Sequence, residues 1–505
     1  MAYATRSSVF AFVPEVTEGT VVDPAADNFT VVREGANIAG AVNTVTSDEL
    51  RNSIGSSKAF ATNQQPTGSI PKYLKPSGVE GQAPDYGILI ESCLGAVDVN
   101  STEYSTAAAS TAGTSTVPAK LKVTAGVEAN FSDGHAVLIK DGTNGYKVRN
   151  INARASGELT MSFNLNAAPA DLIPLGKAVM YYPQDVDQPT FTAHMYQSSA
   201  AGSGVHQAMA GGRTTALSME FTANELASAS FEIGGLSFYV NPITIAAASR
   251  YIDFVDSDGT ASCQLEQKTY SSPVELAAEI ASKMTAASVD IISCAWSHST
   301  GKFTISSNGS TFQLPWLTGT NTANSAKAKL GFTADDTGSL TYTSDSAQTY
   351  APPVTPEYDD QSPQVVRYNE CQLGNFYDHL TVGGSNLTIN IGAPKTDIAN
   401  FAAQNGLDES VVLNREVTVS GTLKFEKHNV GLFDALINNS EIQLAYTHGQ
   451  RLAGNWIPGT IVHTYLPSIS LTASTIVDQD GYLVVQIEGT AFVGDDLADI
   501  YIAFL

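Results

Sequence analysis

Two periodicities divide this chain. Over much of its length apolar and polar residues alternate with period two, the pattern of a strand with one buried face. Leu217-Ser218-Met219-Glu220-Phe221 and Ala229-Ser230-Phe231-Glu232-Ile233 alternate cleanly. Gly211-Gly212 precedes the first and Gly234-Gly235 follows the second, which predicts a hairpin. Further strands are predicted at residues 136–139, 159–163, 251–255, 291–296, 302–306, 387–391, 416–423, 442–446 and 460–472. Asp478-Gln479-Asp480-Gly481 predicts a last hairpin, returning through residues 482–492 with Leu483, Val485 and Ile487 on one side.

Helical spacing is confined to short stretches. Tyr86, Leu89, Ile90, Cys93 and Leu94 follow i, i+3, i+4, i+7, i+8, with Asp85 as a candidate N-cap and Gly95 as a candidate left-handed stop. Ser272-Pro273-Val274-Glu275 reads as a capping box with proline at the first helical position. It opens a helix whose Leu276, Ala277, Ile280, Ala281 and Met284 share a face. A third short helix is predicted at residues 432–437, ending at Asn438-Asn439, residues that tolerate a left-handed stop.

One combination occurs twice. Thr67-Gly68-Ser69-Ile70 is followed by Leu89, Ile90, Cys93 and Leu94; Ser420-Gly421-Thr422-Leu423 is followed by Leu432, Phe433, Leu436 and Ile437. Both helices carry apolar residues at i, i+1, i+4 and i+5. A glycine-bearing strand and a short helix, used twice, read as a duplicated unit of the kind that builds assemblies. The copies differ: the path from Gly68 to Leu89 is longer than that from Gly421 to Leu432, so their loops are not equivalent.

A chain of 505 residues exceeds a single core. Residues 100–117 are almost all Ser, Thr, Ala and Gly, a linker composition, and Pro352-Pro353 with Pro356 makes a stiff connector. The expected architecture is mainly β with minor α. Residues 1–117 and 184–248 would form one unit of strands with a short helix, and residues 352–505 a second. Residues 118–183 would be an inserted small β module and residues 249–351 an inserted α+β unit.

Composition narrows the function. Charged residues make up 15% of the chain, well under the usual quarter, and 26 basic against 50 acidic residues leave a net of −24. That balance argues against gripping nucleic acid by its phosphates. It leaves two readings: acidity for solubility, or a surface past which nucleic acid slides. Cys93, Cys263, Cys294 and Cys371 are scattered without a CxxC, which fits a reducing compartment. The first residues carry no signal-peptide h-region, and no stretch approaches the roughly 20 apolar residues of a membrane span, so a soluble, cytoplasmically made protein is expected.

No catalytic set emerges, and no cofactor or metal is expected. The eight histidines show no HxxH or HxxxH pair. Asp253, Asp256, Asp258 and Gly259 resemble a calcium loop only until its twelfth position, where Gln267 stands instead of Glu, so a turn is expected there. The glycine-rich pieces near residues 202–213 lack the Lys and Ser/Thr of a phosphate loop, and no GxSxG occurs.

Several segments resemble the tail tube proteins of long-tailed bacteriophages. They are Thr46-Ser47-Asp48-Glu49-Leu50-Arg51-Asn52, Thr67-Gly68-Ser69-Ile70 and the Asp85-Tyr86-Gly87-Ile88-Leu89 helix start. Residues 211–235 and 415–438 continue the likeness. Residues 251–343 resemble accessory domains inserted in phage tail proteins, through Thr300-Gly301-Lys302-Phe303, Leu314-Pro315-Trp316 and Leu330-Gly331-Phe332. The resemblance implies two tail-tube-type β-sandwich or barrel domains, each with a short flanking helix, in a virion protein assembled in the bacterial cytoplasm, in which six such folds close a ring and stacked rings conduct double-stranded DNA without binding it specifically. It implies contacts with tape measure and terminator proteins. It places a loop against the neighbouring ring at residues 51–66, with Arg51, Asn52, Lys58, Phe60, Gln64 and Pro66 as candidates; a mobile loop is the other reading. Two folds per chain would make a trimeric, pseudo-sixfold ring; six chains per ring is the rival. A minor tail, collar or capsid-decoration protein and a host-binding adhesin share the same Ser/Thr/Gly-rich β composition.

Overall fold

A computed structural model describes residues 8–49, 58–107, 119–165, 167, 169, 171–185, 188–197, 204–359, 361–375, 378–403, 405–424, 436–438, 440–494 and 497–505. The protein is mainly β with minor α, as the periodicities predict. Among the described residues eighteen strands belong to one large antiparallel sheet system, and the remaining strands form smaller sheets.

The large sheet is built from two like halves. In the first, the glycine strand Thr67–Tyr73 pairs with Ser228–Gly234, which pairs in turn with the long strand Val205–Thr222. In the second, the glycine strand Glu416–Lys424 pairs with Tyr482–Ala491, which pairs with the long strand Val462–Gln479. Both long strands run for 18 residues, and both hairpins carry a bulge. Gly68 faces Ile233, and Gly421 faces Ile487. The glycines are also needed for the same reason. A Cβ on Gly68 would sit 2.7 Å from the Asn37 carbonyl, and one on Gly421 3.1 Å from the Asn386 carbonyl. Asn37–Ala39 and Gly384–Gly392 are thus corresponding neighbours of the two glycine strands.

The two halves were expected as separate sandwiches. Instead the first long strand pairs directly with Gly384–Gly392, from Ala216↔Gly392 to Thr222↔Asn386. One hydrophobic core follows, running from Phe10 through Phe231 and Ile389 to Phe504. Ala178–Pro183, assigned by sequence to the inserted module, belongs to this sheet, between Gly95–Asn100 and Tyr501–Phe504. Its Val179 and Tyr181 are buried in the common core, a placement that only long-range pairing specifies.

The rest of the insertion, joined by Tyr104–Ser105 from the stretch expected to be a linker, forms a six-stranded sheet with its own core around Leu121, Val137, Ile151 and Leu159. A second contact surface joins it to the second half, where Leu138, Val148 and Phe163 meet Trp456, Tyr465 and Tyr501. Residues 243–342 enclose another core against helix α2, Pro273–Ala286. Ser272 caps α2 by accepting from Glu275 N at 3.3 Å, and Pro273 holds the first position, as expected. The Glu275 carboxylate takes Ser271 N, one residue before the cap.

Helix α1, Gly87–Leu94, buries Leu89, Ile90, Cys93 and Leu94 and stops at Gly95 with φ 115°. Asp85 does not cap it; the N-cap is Tyr86, without a side-chain bond. The Asp85 carboxylate is taken by Lys72, 3.0 Å away and fully buried. The last hairpin turns at Asp480 and Gly481, φ 52° and 86°, both left-handed as a two-residue turn between twisted strands requires. Since Leu89 is fully buried in the common core, Leu89→Ala is expected to cost about 2–5 kcal/mol in denaturant unfolding, against a change near zero for the exposed Val16→Ala.

Candidate assembly surface

Most of the predicted repeat residues are buried scaffold. Gly68, Ile70, Leu89, Ile90, Cys93, Leu94, Gly421 and Leu423 are all buried. Burial pushes the Cys93 thiol up to about 12, so it is an inert packing group. Leu436 is partly buried against the core, but Ile437 is 76% exposed. It is therefore not part of an apolar face, which corrects the i, i+1, i+4, i+5 reading at its last position. Leu432 and Phe433 lie outside the described residues.

The candidate inter-ring segment also changes character. Arg51 and Asn52 lie outside the described residues. From Ala59 to Gln64 the chain is a strand, paired with Val42–Thr46, and not a loop. Lys58 and Phe60 are exposed on this hairpin, with the Lys58 ammonium 5.4 Å from the Phe60 ring centre. Gln64 and Pro66 lie at its base, Pro66 buried. Alternation in Ala59-Phe60-Ala61-Thr62 is short and weakly apolar, which is why it reads as loop. Every residue of Val42–Thr46 is exposed, and Val42, Val45 and Phe60 are each more than half exposed. We call this hairpin the first arm.

The second half carries a counterpart just before its own glycine strand. Lys395–Ala399 pairs with Leu407–Val412 as a second arm. Unlike the first, it has a seat. Asn405 accepts from Gln64 N at 2.9 Å and donates to the Leu236 carbonyl. Lys395 donates to the Gly235 carbonyl at 2.9 Å, and Gln65 donates to Asp397 at 3.1 Å. Arg213 reaches Ser410 Oγ at 2.8 Å and Glu18 at 3.1 Å, while Ser410 N donates to the other Glu18 oxygen at 2.9 Å. Arg213 and Ser410 are both buried, so these charge-assisted bonds lie in a water-poor seam. No sequence motif marks the network, because its members come from four distant segments.

Two buried histidines are paired with each other across facing strands. His194 Nε2 faces the Val22 carbonyl at 2.8 Å, and a carbonyl only accepts, so that nitrogen carries the proton. His194 Nδ1 then accepts from His206 Nε2 at 2.8 Å. Both rings stack on Tyr196, and both are neutral. Burial lowers His194 to about 4 and His206 to about 2; it also lowers His448 to about 4 and His463 to about 3. Sequence spacing missed the His194–His206 pair because facing strands bring it together. Asp256 accepts from Asp258 N and Gly259 N, closing the expected turn. Among the described residues no cluster of metal-ligating side chains occurs, and no helix is long and apolar enough to cross a membrane. No protein-family model matches the chain, and no curated protein matches it.

The histidines give a pH dependence with a defined sign. Their folded values lie below the ordinary 6.5, so the unfolded chain binds more protons between the two values. Their share of stability is complete above pH about 6.5 and is lost as the pH falls toward 4. Each group steepens the slope by up to about 1.4 kcal/mol per pH unit. Glu15, raised by burial, acts in the opposite sense. Urea midpoints measured from pH 7.5 to 4.5 are therefore expected to fall, and His206→Gln is expected to flatten that fall; an unchanged slope in the variant would refute the assignment.

The seat makes its own expectation. Arg213→Ala leaves Glu18 partly buried and unpaired and frees the second arm, so limited proteolysis between residues 395 and 412 is expected to accelerate several-fold. Cleavage at the wild-type rate would show that the network does not hold the arm.

Proposed function

We propose that this chain is a structural virion protein that self-assembles into stacked rings, forming the tail tube through which a long-tailed bacteriophage delivers its DNA. The observation that carries the proposal is the repeated unit: a strand, an arm, a glycine strand, and a long hairpin, present twice and joined in one sheet. A chain that already places two such units side by side supports a ring in which each chain fills two positions. Three chains then supply six units, with sixfold symmetry only approximate because the two units differ.

The charge supports the same reading. Double-stranded DNA carries one charge per about 1.7 Å of axis, and a conduit must not hold it. A net of −24 disfavours adhesion to phosphate. Tape measure and terminator proteins are the further partners, the virion tail is the destination, and the bacterial cytoplasm is the place of assembly. No enzymatic role is proposed.

Electron microscopy of the purified protein, with mass measurement of single rings, tests this directly. Hollow tubes built of three-chain layers are expected. Six chains per layer with strict sixfold symmetry would overturn the trimer, and a monomer that binds bacterial cells would favour an adhesin.

A further inference from the structure

The two ends of the duplicated sheet are unequal within one chain. The Ala216–Thr222 part of the first long strand is paired on both sides, by Ser228–Gly234 and by Gly384–Gly392. The corresponding part of the second long strand, residues 475–479, pairs only with the returning strand of its own hairpin among the described residues. Its other edge is open. The complementary vacancy lies at the opposite end. Gly384–Gly392 has the first long strand on its outer side, whereas among the described residues its counterpart Asn37–Ala39 pairs with the first glycine strand alone.

We infer that the open edge at residues 475–479 joins the open edge at residues 39–43 of a second copy of this chain, antiparallel, repeating between chains the junction that already exists within one. This rests on the self-assembly proposed above and names the surface that performs it.

The internal junction fixes the register. Ser218 corresponds to Val477, because their hairpin partners Ser230 and Val484 occupy the same place relative to Ile233 and Ile487. Asn390 corresponds to Ala41: Asn390 pairs with Thr418, and Ala41 accepts from Gln65 N at 3.0 Å, the residue at Thr418's place relative to the glycine. Ser218 faces Asn390, so Val477 faces Ala41 of the neighbour. One step along, the buried pair Leu217 and Ile391 becomes Ile476 and Val42. Those two are 41% and 54% exposed in the isolated chain, apolar residues each lacking a cover. An open strand edge flanked by exposed apolar side chains is a template for strand addition.

The arms agree independently. The second arm lies on the first half of its own chain. The first arm, its counterpart, has every residue of Val42–Thr46 exposed. A neighbour joined at this edge would present its second half as the missing seat. The contact is head to tail, which closes into a ring when the rotation per chain permits.

The test uses full-length chains. Val477→Cys and Ala41→Cys chains are mixed, assembled and oxidised. Facing residues of an antiparallel pair lie about 4.5–5.5 Å apart, within disulfide reach. Heterodimers linked between the two variants are expected at least tenfold above a control mixing Val477→Cys with Ser299→Cys. Ile476→Lys is expected to keep the wild-type melting temperature and lose assembly. Assembly without the 41–477 link, or unimpaired assembly of Ile476→Lys, overturns this edge while leaving the tube reading intact. A wild-type chain that stays monomeric overturns both.

Discussion

The structure depends on one ladder of backbone hydrogen bonds, where Ala216–Thr222 runs antiparallel to Gly384–Gly392. A strand edge left in water keeps its amides solvated but exposes a template for aggregation; an edge left in the core costs the full desolvation of each group. Joining the halves here removes both problems at once. Leu217, Met219, Ile389 and Ile391 then fall on a single buried face, and the core becomes continuous from Phe10 to Phe504. The polar face of the same ladder is also paired, with Ser218 Oγ donating to Asn390 Oδ1 at 2.6 Å.

Around that ladder the polar seam decides orientation. Arg213, Glu18 and Ser410 hold the second arm against the first half, and Asn405 closes it over the base of the first arm. Buried charge of this kind adds less to stability than to specificity, since a slipped register would strand Arg213 or Glu18 without a partner. The result is two units joined along a shared edge, while residues 475–479 and 37–39 each pair on one side only among the described residues.

Much of this was legible in the sequence, and the exceptions have physical causes. Period-two alternation located the long hairpins, and the spacing of Leu89 to Leu94 located α1, because both patterns report which face is buried. The two glycines were legible as a repeat because a Cβ would crowd the Asn37 carbonyl at 2.7 Å and, less severely, the Asn386 carbonyl at 3.1 Å. The ladder that joins the two halves was not legible because strand pairing across hundreds of residues leaves no local trace. Ala178–Pro183 was misplaced for the same reason. The first arm read as a loop because its strands bury nothing within the chain, and the apolar pattern that marks a strand arises only where there is something to bury. Asp85 looked like a helix cap, but the fully buried Lys72 had the stronger claim on its carboxylate.

The central claim is that the two halves are one cooperative sheet through their shared ladder. Native-state hydrogen exchange across increasing denaturant measures it most directly. Amides of residues 216–222 and 386–392 are expected to exchange together, through the same opening as the core strand Ser228–Gly234. Loss of protection in residues 386–392 at a lower denaturant concentration than in 216–222, with the halves opening separately, would contradict the account.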